Sequence, residues 1–305
     1  MRHPRVRFKL SQTAEMRVIR GFIRDAKYDS GRNLARGVYR HHPSLRPVIE
    51  HGRRLPIAEV QRYVGRVYAG NITIFRDFAG AVERQWRKKE SKFFMMVKDE
   101  FTCERWPKGK YVAYFTIWSV FPKFLDDKTF CVPFHHRRDG YINVIIAHEM
   151  LHFAFYSHFY RWYPQYRSSK YNAFVWNVAE LFNVVIQNSK RWTGVFHRQT
   201  MHDPRHEKML RGIRKKIRGM DARAKDLTKV IVEIVERQPQ FKNIHGLRRR
   251  SIRRRQAGIR GKPNGLRLGS PLFRSTSDRK NGDVASQAPT RDSVFKSRSA
   301  PLHRA

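Results

Sequence analysis

The chain predicts an α+β fold: a small mixed or antiparallel sheet, an apolar helix beside it, further backing helices, and a basic disordered C-terminal tail. Three observations predict it. Residues 110–119 and 129–134 are rich in the aromatic and β-branched side chains that favour strands. Residues 141–156 form an apolar helical stretch that abruptly carries His148, Glu149 and His152. From Lys242 onward, 17 Lys/Arg stand against 3 Asp/Glu among many Ser, Gly and Pro, a composition that cannot bury a core.

Taken in order, residues 1–55 read as a basic N-terminal arm, partly helical over 14–27, where Ser30-Gly31-Arg32-Asn33 then breaks the pattern. His41, His42 and His51 sit among arginines and prolines and are expected to be exposed. Residues 56–200 carry the folded-domain pattern. After Pro56, a good first residue for a helix, Val60, Val64, Val67 and Tyr68 keep helical spacing. Gly70-Asn71 is expected to interrupt that helix before Ile74, Phe75, Phe78 and Val82 resume the stripe, and Phe93–Phe101 reads as a second, short apolar helix. Strands over 110–119 and 129–134 follow, separated by a turn at Pro122 and Asp126-Asp127. Pro133 lacks a ladder N–H, which confines the later strand to a sheet edge or to its own end. An edge strand there has two readings: it can hold an extended peptide by strand addition, or Pro can simply block aggregation. Residues 171–188 give a second apolar helix. Two further helices near 205–218 and 221–237 fall in a 201–240 segment packed on the domain, the latter with a stripe at Leu227, Val230, Ile231, Ile234 and Val235. Residues 241–305 are the tail, densest in charge at Arg248–Arg255, where phosphates can be gripped.

The formal charge of +39 predicts attraction to polyanions such as nucleic acid, though a solvated basic surface gives the same count. Cys103 and Cys131 have no metal-binding spacing. No run approaches the roughly 18 apolar residues that span a bilayer, and no apolar segment follows the basic N-terminus, so a cytoplasmic protein without a transmembrane segment is expected.

The chemistry is concentrated at 148–152. On a helix His148 and His152 project from one face and can share one ion, while Glu149 points about 100° away and can reach a water on that ion. This HExxH pattern supplies two histidine ligands to Zn2+ and a carboxylate general base. A third ligand is needed. In the helix over 171–188 the polar residues Asn177, Glu180, Asn183 and Gln187 form one stripe, and a carboxylate on so apolar a helix needs a positive partner. Zinc is one such partner; solvent or an arginine is the alternative. His158, ten residues after His148, is the competing ligand, but on an unbroken helix it lies about 15 Å further along. Tyr171, His197 and His202 are candidates for holding an oxyanion.

His148-Glu149-Met150-Leu151-His152, with Glu180 28 residues later, resembles the gluzincin metallopeptidases, and in size their minimal single-domain members. That resemblance implies a zincin-like domain, Glu180 as third zinc ligand, Glu149 as the group that activates water, and a peptide or protein substrate. The chain differs from the longer gluzincin signature in having Ala179 before Glu180 and Val184 after it. The first motif is also similar to that of SprT-like proteases, which work on DNA, and the ten-residue spacing from His148 to His158 resembles that of metzincins and WLM-type predicted metallopeptidases. The rival from another class is a nucleic-acid-binding protein with a structural or vestigial zinc site, binding polyanions through the basic arm and tail.

Overall fold

The computed structural model describes residues 3–24, 38, 41–45, 56–101, 106–118, 120–134, 140–220 and 223–241. The tail, with Arg248–Arg255, lies outside them, as do His51 and Cys103. Their elements are mixed α/β, mostly helical. In order they are β1 (Arg7–Lys9), α1 (Gln12–Arg24), α2 (Ile57–Glu100), β2 (Val112–Thr116), β3 (Lys123–Phe124), β4 (Thr129–Pro133), α3 (Tyr141–Trp162), α4 (Asn172–Gln187), α5 (Lys190–Phe196), α6 (Glu207–Ile217) and α7 (Ala224–Glu236).

The sheet is mixed, with strand order β1-β2-β4-β3. β1 and β4 run parallel to β2, and β3 is antiparallel to β4. Both faces are covered, as parallel pairing usually requires. Alternate residues feed two cores. Ala113, Phe115, Phe130 and Val132 enter a large cluster with the C-terminal half of α2 and with α3 to α7, whereas Tyr114 and Cys131 enter a smaller one with α1 and the N-terminal half of α2.

Three sequence expectations change here. Residues 7–24, read as part of an arm, are built into the body. Val6 is fully buried, Arg7 N–H donates to Tyr111 O at 2.9 Å, and Met16, Val18 and Ile19 of α1 are buried. His42, expected to be exposed, is buried between Tyr63 Oη at 2.7 Å and Ile117 O at 2.9 Å. Finally, α2 is one helix of 44 residues, about 66 Å long, where two were expected. Gly70 costs an isolated helix about 1 kcal/mol, but burial of Val64, Tyr68 and Phe75 on either side outweighs it. The charged turn at 87–90 is likewise no break: Glu90 accepts from Val6 N–H at 3.0 Å and Trp86 Nε1 at 3.0 Å, and Arg87 donates to Val6 O at 2.7 Å. Those bonds clamp the lead-in to β1.

Pro133 ends β4, as its missing N–H requires, but β4 is interior and the two-residue β3 forms that edge. α6 and α7 pack on the body through Met209, Leu210, Ile213, Leu227, Ile231 and Val235. Among the described residues no helix is long and apolar enough to cross a membrane.

Candidate metal centre

α3 is buried on nearly every face, from Tyr141 to Phe159. A helix that is apolar all round belongs inside a body, so any polar side chain on it must find a partner there. The partner is α4, whose Glu180, Asn183 and Gln187 face α3, while Asn177 of the same stripe meets His206 Nε2 at 2.8 Å instead. Asn183 Nδ2 donates to His148 O at 3.0 Å. Gln187 Nε2 donates to Val144 O at 3.2 Å, which directs its Oε1 at His148 Nδ1, 2.8 Å away. Thr200 Oγ1 donates to the same Oε1 at 3.0 Å. With Oε1 accepting, the proton of His148 sits on Nδ1 and Nε2 is free to bind a cation.

The three predicted ligands converge. His148 Nε2 and His152 Nε2 are 3.1 Å apart, His148 Nε2 is 3.1 Å from Glu180 Oε2, and His152 Nε2 is 3.3 Å from Glu180 Oε1. Ligands about 2.0–2.1 Å from a tetrahedral zinc stand about 3.3 Å from one another, so the spacing fits such an ion. Among the described residues they are the group of His, Cys, Asp and Glu side chains able to hold a metal. A lone pair on His148 Nε2 facing a carboxylate oxygen is repulsive unless a cation lies between them. Burial opposes charge on His148, but Glu180, together with Glu149, outweighs it and raises the pKa. His152, fully buried and beside Lys123, is pushed down to about 3 and stays neutral. Burial alone would raise Glu180; Lys123, His152 and His148 together hold it well below the usual carboxylate range. His152 Nδ1 has no hydrogen-bond partner, unlike its counterpart on His148.

Glu149 is not in the triad. It is 7% exposed, and its Oε2, 3.9 Å from Lys123 Nζ, makes no hydrogen bond. Burial raises its pKa, with Lys123 and His148 opposing. A desolvated carboxylate with a free oxygen beside a cation site is suited to take a proton.

The other candidates lie elsewhere. α3 continues unbroken to Trp162, so His158 stays more than two turns beyond His148, edge-on to Phe101 at 5.2 Å between ring centres. Tyr171 is buried against Tyr166, His202 Nε2 meets Glu207 Oε2 at 2.8 Å, and His197 caps α5 at a φ of 55°. What sequence reasoning missed is Lys123, whose Nζ on β3 is 3.3 Å from Glu180 Oε1. In a chain with 64 Lys and Arg, nothing marked that one as buried.

A separate cleft of about 560 Å³ opens at the N-terminal end of α3, lined by Lys88, Lys89, Lys92, Asn143, His197 and Arg198 among others, with no carboxylate. No protein-family model, curated protein or solved structure matches the chain.

Proposed function

We propose that the chain is a zinc-dependent peptidase of the zincin type, with His148, His152 and Glu180 as ligands and Glu149 as general base. The observation that carries this reading is the mutual 3.1–3.3 Å spacing of three donors with a free, buried carboxylate next to them. A bound zinc would supply Lewis acidity, acidifying water and polarising a peptide carbonyl. The protein's own groups do the rest. Gln187 and Asn183 hold His148 in place. Glu149 takes the proton of the attacking water as the new C–O bond forms, then passes it to the amine nitrogen as the C–N bond breaks. Its raised pKa favours holding that proton between the two events. The short edge strand β3 offers an extended substrate backbone pairing next to the site. The test is peptide hydrolysis beside zinc content in Glu149→Gln, expected to keep metal and lose activity.

The basic cleft supports a second, compatible reading, in which the body binds a polyanion such as nucleic acid. The cleft concentrates positive side chains from α2 and the α5 C-terminus at the positive end of α3. Its test is the salt dependence of oligonucleotide binding in Lys88→Glu/Lys92→Glu/Arg198→Glu protein.

A further inference from the structure

We infer that Lys123 is a working part of the centre: its ammonium group stands against Glu180 in place of the ion in the metal-free protein, and holds the substrate's carbonyl oxygen as that oxygen becomes negative during hydrolysis. The inference deepens the zincin reading and rests on it.

Lys123 is held where it is by backbone. It pairs with Phe130 in the antiparallel ladder, and Cys131 N–H donates to Pro122 O at 2.9 Å. The side chain is then only 16% exposed, so its charge needs a partner. It meets two: Glu180 Oε1 at 3.3 Å and Glu149 Oε2 at 3.9 Å. One is a proposed ligand and the other the proposed base. Lys123 Nζ thus borders the region both of them face, which is where the reacting carbonyl must come. Tyr171, His197 and His202 make their contacts elsewhere; Tyr156 also lies near Lys123, its ring centre 6.0 Å from that of His152, but Lys123 is the cationic donor at this place.

The charges favour this role. A general base starts as a carboxylate, so in this role Glu149 presents negative charge to Lys123 before reaction. As the water O–H bond breaks, the proton goes to Glu149, and as the C–O bond forms, the carbonyl π pair moves onto its oxygen. Negative charge therefore leaves one neighbour of Lys123 and appears on another. A three-donor ammonium can follow it with little movement, and a donor preorganised for the later charge accelerates the step. When C–N breaks, the pair returns to the carbonyl and the proton on Glu149 goes to the amine.

The experiment compares wild type, Lys123→Met and Lys123→Arg by zinc affinity in chelator competition and by kcat and KM on the best substrate from a quenched-fluorescent peptide library. Loss of the competing cation is expected to tighten zinc binding at least tenfold in Lys123→Met. Loss of the oxyanion donor is expected to cost roughly a hundred- to a thousandfold in kcat with KM little changed, and Lys123→Arg should restore part of it. Wild-type kcat in a folded, zinc-loaded Lys123→Met overturns the inference, as does unchanged or weaker zinc binding. Should Lys123→Met not fold, Lys123→Gln carries the same two measurements; if neither folds, Lys123 is a structural ion pair and the inference falls. A wild type that neither binds zinc nor cleaves any library member overturns the zincin reading itself, a different failure.

Discussion

Removing Glu180 from the metal-free protein strands Lys123, and the cost follows from the structure. The two side chains are 3.3 Å apart and only 16% and 18% exposed. Removing one partner of a buried pair costs about 3–5 kcal/mol, and partial exposure puts this case near the lower end, about 3 kcal/mol. For a body of this size that is a fall in Tm of roughly 6–12 °C. Removing both charges is different, because a pair replaced by apolar groups is often neutral or better. Glu180→Ala with Lys123→Met is therefore expected to lose at most about 1 kcal/mol relative to wild type. Urea unfolding of chelator-treated wild type, Glu180→Ala, Lys123→Met and the double variant closes the cycle. A double variant no more stable than Glu180→Ala refutes the account of Lys123 as that carboxylate's charge partner.

Other expectations follow from the same contacts. His158→Ala should keep zinc and lose a few kcal/mol of stability through a cavity against Phe101, read by metal analysis beside urea unfolding. Glu15 is raised to about 7 by burial, against hydrogen bonds from Thr116, Tyr68 and Ile117. The stability it contributes is fully present below its unfolded pKa of about 4.5 and lost as pH rises through 7, on the order of 3 kcal/mol. Glu15→Gln should therefore gain about that much on wild type between pH 4.5 and 8 in urea unfolding, and parallel curves would count against it. His42, pushed down to about 4 by burial, acts in the opposite sense but is common to both proteins. Lys88→Glu/Lys92→Glu/Arg198→Glu should weaken oligonucleotide binding and flatten its salt dependence while leaving zinc content unchanged; an unaltered slope removes the cleft from the polyanion reading.

The sequence was legible where chemistry and periodicity coincide. His148, Glu149 and His152 form a local pattern, and Glu180 with Gln187 stood out because a polar stripe on an apolar helix demands partners. β1 was missed because Arg7-Phe8-Lys9 is too short for an alternation, and it owes its place to Glu90 and Arg87, more than 80 residues away. The continuous α2 was missed because local propensity at Gly70-Asn71 argues for a break that tertiary burial overrides. Lys123 was invisible for a similar reason. Its burial depends on the two-residue strand β3, and on carboxylates brought to it by α3 and α4.

Metal analysis of protein purified without chelator, in wild type, Glu180→Ala and His158→Ala, bears on the zincin reading as a whole. One zinc per chain is expected in wild type and in His158→Ala, and none in Glu180→Ala. Wild-type protein without stoichiometric metal, or zinc that survives Glu180→Ala but is lost in His158→Ala, would contradict it.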